Sequence, residues 1–287
     1  MPTLDSVRLD DGLFTMFKGE PGTRKSTQAL SYPLPQYWIS TDQKMEALQL
    51  PAKRWGIDMK KVHYDDYVDW NTPRNKLEQL RVNCPYRTII VDSITSMGDA
   101  MTSQVRLTKK DSGKSIKEVG GIQVSGLEEF NAESQAFKEM ISLLKDIAKY
   151  HKIYVILIAH VIGQRKDEDD NKLTHHSRII VTGAAQIGAK IASYVTEAYH
   201  FNIKAGFTAD SEGKYGLFTV HTGNDYARTS LPLPREVMFN NDPLFEKWIQ
   251  PAITKQMNEQ PIARIQTATS HIPSDNPTTS PVKEFKI

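Results

Sequence analysis

The run Gly19-Glu20-Pro21-Gly22-Thr23-Arg24-Lys25-Ser26-Thr27, preceded by apolar Leu13 to Phe17, has the residue types and spacing of a phosphate cradle. A strand that turns sharply into a helix aims backbone N–H groups and the positive end of the helix dipole at one spot. In such a loop Lys25 reaches the β/γ-phosphate oxygens of a nucleotide and the Ser26 hydroxyl ligates Mg²⁺. The pattern G-x-x-x-x-G-K-[ST] is broken once, because Arg24 stands where the second glycine belongs. Glycine keeps a Cβ away from the phosphates and permits unusual dihedrals. Arg24 is therefore expected to hold an ordinary backbone conformation with its side chain turned outward. A Gly/Pro turn that merely caps a helix is the plainer reading; Lys-Ser-Thr at the right spacing argues against it.

Further along, Arg87-Thr88-Ile89-Ile90-Val91-Asp92-Ser93 reads as an apolar strand ending in a carboxylate. Asp92 is expected to hold Mg²⁺ through water, opposite Ser26. Hydrolysis also needs a group that orients or deprotonates water. Asp42, at the end of Tyr37-Trp38-Ile39-Ser40-Thr41-Asp42, is the candidate, with Glu46 a poorer one and a helix N-cap the plainer role for Asp42. The strand Tyr154 to Ala159 ends in His160, placed to sense a γ-phosphate and pass its presence to the following loop. A lone histidine is more often structural.

Two loops carry charge suited to sequence-independent contacts with nucleic-acid phosphates. One holds Arg106, Lys109, Lys110, Lys114 and Lys117; the other holds Arg165, Lys166, Lys172 and Arg178, diluted by Asp167, Glu168, Asp169 and Asp170. Solvated surface is the alternative for both.

The elements that must position these groups alternate between apolar strand-like runs and helix-like segments, which indicates an α/β fold with a mostly parallel sheet and helices on both faces. Strands are expected at Leu13 to Phe17, Tyr37 to Ser40, Lys61 to Tyr64, Thr88 to Val91 and Tyr154 to Ala159, and helices at Lys25 to Leu30, Asn75 to Val82 and Glu133 to Tyr150. Beyond them come a helix near Ala184 to Tyr194 and two apparent strands, Thr196 to Ile203 and Tyr215 to His221, linked through Gly206 to Gly213 as a hairpin. The core is expected to end near residue 250, and a Pro/Thr/Ser/Gln/Asn-rich tail from about Pro251 is expected to stay flexible. Its final Val282-Lys283-Glu284-Phe285-Lys286-Ile287 could dock on a partner or a neighbouring subunit.

The chain has 287 residues, with 36 basic and 34 acidic ones, so any attraction to nucleic acid must come from local patches. Cys84 is the single cysteine, which excludes an intrachain disulfide and suits a reducing cytoplasm. No leader pattern or membrane-length apolar run is evident, so no membrane partner is expected.

In this order, the loop Gly19 to Thr27, Asp92 with Ser93, the strand ending in His160, Thr182-Gly183-Ala184-Ala185 and the terminal strand pair resemble the RecA-like P-loop recombination ATPases, especially compact bacteriophage forms. The resemblance covers about Gly12 to Pro234. It implies a RecA-like P-loop NTPase core with antiparallel strands at the C-terminal edge of the sheet. It also implies ATP and Mg²⁺ as ligands, and DNA-stimulated hydrolysis that supports strand annealing or exchange on single-stranded DNA. Arg106 to Gly126 would be the first DNA loop and Val161 to Val181 the second, with Thr182-Gly183 opening the next helix. The family reaches into a neighbouring subunit's nucleotide with basic residues, for which Arg228 is the candidate here, acting in trans on the transferring phosphoryl group. A ring or filament of identical subunits follows, with a single-strand-binding protein or other replication or recombination protein as a further partner and a bacterial host cytoplasm as the setting. A helicase or translocating motor shares this core. A low-turnover nucleotide switch is the other alternative, favoured by Arg24, by the missing Glu and by a single finger residue.

Overall fold

Buried parallel strands need apolar side chains on both faces, and β1 (Phe14–Gly19) and β2 (Gln36–Ser40) are buried at every position. The computed structural model describes residues 12–112, 118–119, 122–123, 127–162, 178–179, 191, 193–204, 214–222 and 226–259. The remaining strands are β3 (Val62–Asp66), β4 (Thr88–Asp92), β5 (Glu118–Val119), β6 (Ile122–Gln123), β7 (Tyr154–Ile162), β8 (Arg178–Ile179), β9 (Glu197–Lys204), β10 (Lys214–Phe218) and β11 (Glu236–Met238). The main sheet runs β11-β10-β9-β1-β7-β4-β2-β3. It is parallel from β9 to β3 and antiparallel at β9-β10-β11. β7 thus stands between the loop strand β1 and the Asp92 strand β4. β8 pairs antiparallel with the end of β7, and β5 and β6 form a separate pair.

Alternation along these strands feeds two cores, one per face. Val155, Leu157 and Ala159 of β7 join Ile89 and Val91 under α3 (Asn71–Val82), α4 (Ile94–Asp111) and α5 (Leu127–His151). Ile156 and Ile158 join Phe17, Trp38, Ile90 and Phe201 on the other face, under α1 (Lys25–Ala29) and α2 (Gln49–Arg54). A π-helical turn at Phe245–Ile249 and α6 (Gln250–Glu259) close that second face.

The expected strands and helices up to residue 162 and the two strands after residue 195 are present with ends shifted by a few residues, while the helix expected near Ala184 to Tyr194 falls largely outside the described residues. Three differences matter. Arg106, Lys109 and Lys110 were expected in a loop but belong to the final turns of α4. Ser93 caps that helix, its Oγ accepting from Ser96 N at 3.3 Å, and Ile94, Met97 and Met101 supply a buried stripe at helical spacing. The basic residues then complement the helix C-terminus. β7 continues past His160 to Ile162 because β8 extends the ladder there. Helix α6 runs to Glu259, beyond the expected start of the tail, since Ala252 and Ile253 are buried in the second core.

Lys114, Lys117, Arg165, Lys166, Lys172, Thr182-Gly183-Ala184-Ala185, the Gly206 to Gly213 link and the final Val282 to Ile287 lie outside the described residues. Arg178 sits in β8, paired opposite Ile162.

Candidate nucleotide site

Gly19 ends β1 under a wall that leaves no room for a side chain: a Cβ there would lie 2.5 Å from Phe201 O. The chain then curls. Gly22 takes φ 82°, and Thr23 closes the turn with its Oγ1 donating to Glu20 O at 2.8 Å. Lys25, the first residue of α1, is buried and folds back into the curl, its Nζ donating to Gly19 O (2.9 Å), Glu20 O (2.8 Å) and Thr23 Oγ1 (3.3 Å). The ammonium therefore sits at the centre of the loop, where phosphate oxygens would meet it. Burial lowers its pKa to about 8, against the opposing pull of Asp92, Asp42 and Glu20.

Arg24 corrects one expectation and meets another. Its backbone is left-handed (φ 66°, ψ 24°), the conformation the missing glycine would supply, rather than ordinary. Its side chain does turn outward. Nη1 donates to Asn240 O (2.8 Å) and Asn241 Oδ1 (2.6 Å), and the guanidinium lies 3.6 Å from the Tyr215 ring centroid.

The ends of β2 and β4 are laced together. Thr41 N donates to Asp92 O (2.8 Å), Thr41 Oγ1 donates to Ser93 O (2.8 Å), and Ser93 N donates to Thr41 Oγ1 (3.0 Å). This lacing puts Asp42 beside the start of α4. Asp42 Oδ1 accepts from Ser93 Oγ at 3.0 Å and from Ser96 Oγ, while Oδ2 meets His160 Nε2 at 3.3 Å. Burial alone would raise the Asp42 pKa; the hydrogen bonds from His160, Ser96 and Ser93 outweigh it and hold the carboxyl at about 2. His160 is fixed in turn, its backbone N donating to Thr95 Oγ1 at 3.1 Å. Asp42 caps no helix, since the following 3₁₀ turn begins at Met45 after Lys44. Glu46 is exposed on that turn.

Asp92 faces α1 and shares a side-chain hydrogen bond with Ser26. Burial pushes its pKa up to about 6, with Ser26 opposing and the nearby Asp42 charge adding to the rise. A hydroxyl and a carboxylate in contact, with a second carboxylate close by, form a hard oxygen set that fits Mg²⁺ completed by water and phosphate. Among the described residues there is no group of three or more His, Cys, Asp or Glu side chains poised as a protein-only metal cage.

Lys25, Ser26, Asp92, Asp42 and His160 thus come together at the C-terminal ends of β1, β2, β4 and β7. Arg228 stands apart from this set. Its backbone pairs with Ala198 beyond β1, and Nη2 donates to Ser193 O at 3.4 Å. Ser96, Thr95 and Thr41 went unnoticed in sequence; isolated hydroxyls near a strand end give almost no signal there. Also unnoticed was a cavity of about 240 Å³ beside the loop, lined by Arg24, Thr27, Pro51, Arg54, Trp55 and Asn241 among others.

A lysine and a hydroxyl on a loop that curls into a helix, facing a strand-end carboxylate across a parallel sheet, define a P-loop nucleoside triphosphatase. The family model described as AAA domain matches residues 14–230, and the chain belongs to that family of ATP-binding, ATP-hydrolysing P-loop domains. No curated protein matches the chain. Among the described residues no helix is long and apolar enough to cross a membrane.

Proposed function

We propose that this ATPase is RecA-like and works on single-stranded DNA, in recombination of the phage type by strand annealing or exchange. The observation that carries the reading is the 3.3 Å contact between Asp42 and His160. It links the carboxylate that faces the γ-phosphate position to the strand leading directly into residues 163–177, which include Arg165, Lys166 and Lys172. A change at the phosphate end of the site is thereby transmitted to a segment whose Arg165, Lys166 and Lys172, beside the acidic run Asp167 to Asp170, supply the contacts to DNA phosphates.

In this reading Lys25 leaves the loop carbonyls and takes the β/γ oxygens. Ser26 Oγ and Asp92 are the groups that would hold Mg²⁺, which would supply neutralisation of phosphate charge there. Asp42 accepts a hydrogen bond from the attacking water and fixes its line of approach. His160 steadies Asp42 and is released from it when the γ-phosphate leaves. Arg228 serves a neighbouring subunit in a ring or filament; its Nε is buried without a hydrogen-bond partner, and its bond to Ser193 O is long. Arg106, Lys109 and Lys110, at the end of α4, form a second basic patch for the strand.

One observation favours a slower, switch-like cycle. A carboxyl held at about 2 is a weak base, so Asp42 orients water more than it deprotonates it.

The test is ATP hydrolysis with and without single-stranded DNA, in the native chain and in Lys25→Ala. The expected result is a DNA-stimulated rate that the substitution lowers by about a hundredfold or more. A rate indifferent to DNA would overturn the DNA reading. Tight ATP binding with almost no turnover would select the switch.

A further inference from the structure

A non-glycine residue in the left-handed region is disfavoured because its Cβ crowds the following carbonyl oxygen, so Arg24 needs compensation from its surroundings. The compensation is specific. One guanidinium nitrogen, Nη1, donates to both Asn240 O (2.8 Å) and Asn241 Oδ1 (2.6 Å), and the group stacks 3.6 Å from the Tyr215 centroid. The same turn is gripped from the opposite side. Arg54 Nη1 donates to Asn241 Oδ1 at 3.0 Å and Trp55 Nε1 donates to Asn241 O at 2.9 Å. Asn240 is itself left-handed (φ 46°), and its Oδ1 accepts from Tyr215 N at 3.0 Å. The Asn240-Asn241 turn is therefore clasped between the phosphate loop and the end of α2.

The cavity of about 240 Å³ lies among these three segments, with Thr27 of α1 in its lining. It is continuous with the first turn of the helix that meets the phosphates, which is where the nucleoside end of a nucleotide held by the loop would lie. Its walls suit a flat heterocycle: the Trp55 indole, Leu50 and Pro51 supply apolar surface, and Arg54 and Asn241 supply polar atoms at the edge.

Resting on the nucleotide reading of the loop, we propose that Arg24 is a positioning residue for a nucleobase pocket. It holds the Asn240-Asn241 turn against the loop so that the wall of the pocket stands ready for the base, while the loop backbone and Lys25 hold the phosphates. The ligand class follows: the site gains affinity from a base-bearing nucleoside triphosphate over the bare triphosphate, and Arg24 is responsible for a share of that gain.

Arg24→Gly separates the side chain from the backbone, since glycine takes the left-handed conformation without strain. Binding of Mg·ATP and of Mg·tripolyphosphate is compared by calorimetry in the native full-length chain, Arg24→Gly and Asn241→Ala. The expected result is about a tenfold loss for ATP in both variants, with tripolyphosphate affinity held within about twofold. Arg24→Lys, which keeps the charge but loses the planar stack on Tyr215, is expected to fall between native and Arg24→Gly. Equal losses for both ligands would overturn the proposal by placing the effect in the phosphate loop. Unchanged ATP affinity in Arg24→Gly would overturn it too. Failure of the native chain to bind ATP would remove the nucleotide reading itself, and the proposal with it.

Discussion

Two carboxyl groups, Asp42, partly buried at the strand ends, and Glu133, fully buried between α4 and α5, are both pushed upward by burial and ionise oppositely. Asp42 receives hydrogen bonds from Ser93, Ser96 and His160, and its pKa falls to about 2. Glu133 is buried with one donor, Thr102 Oγ1 at 3.1 Å to Oε2; its Oε1 has no hydrogen-bond partner. Burial lifts its pKa to about 7, Thr102 opposing weakly and the Asp99 charge adding to the rise. Desolvation pushes both the same way, so the donors and the charge beside each group, His160 for Asp42 and Asp99 for Glu133, decide the outcome. Asp92 lies between them, at about 6, with Ser26 as a side-chain donor and Asp42 as a like-charged neighbour. The strand-end site is thus built to keep one charge in place, whereas the helix interface keeps an acid close to neutral.

The largest effect that separates the two regions is expected from Glu133→Gln. An acid whose folded pKa lies above its unfolded value stabilises the fold least when ionised. Native stability should therefore fall as pH rises from about 4.5 through about 7, by up to about 3 kcal/mol. The glutamine variant should lack that decline when unfolding is followed in urea at several pH values. A native-like decline in the variant would mean that Glu133 is not the acid responsible.

A smaller effect is expected from His160→Ala. Removing one donor from a buried carboxylate costs about 2 kcal/mol in its alignment. ATP turnover at saturation should drop roughly 10- to 30-fold, with the ATP KM little changed. A variant that raised KM and left kcat alone would make His160 a binding group instead.

Smaller again is the pH dependence of ATP binding through Lys25. Phosphates bind its charged form, and in the free chain half of that proton is lost at about pH 8. Affinity should be nearly flat up to about one unit below that pKa, bend near pH 8, and fall at most about tenfold per unit above it. Calorimetry between pH 6 and 10 would check this, and a flat profile throughout would show that the ammonium charge is not what the phosphates meet.

Much of this architecture could be read in the sequence, for a physical reason. Strands covered on both faces write themselves as unbroken apolar runs, so Thr88 to Val91 and Tyr154 to Ala159 stood out, and so did Asp92 and His160 at their ends. Helix α4 was obscured because Thr95, Ser96, Gly98 and Thr102 dilute its apolar stripe and its basic end mimics a loop. The left-handed backbone of Arg24 could not be read at all. The partners that sustain it, Tyr215, Asn240 and Asn241, are about two hundred residues away in sequence, and no local pattern reports them. The types Asp42 and His160 were legible, but their meeting depends on strand register, which places Gly19 opposite His160 and Ser40 opposite Asp92.

The most direct test of the account is the ATP hydrolysis rate of Asp42→Asn beside the native chain, at saturating ATP and Mg²⁺. Asparagine keeps the shape and accepts from Ser93 and Ser96, but it lacks the charge. The account expects ATP still to bind, with turnover reduced about a hundredfold or more. Turnover at the native rate would contradict it, because the charge that the strand-end site is built to hold would then have no part in hydrolysis.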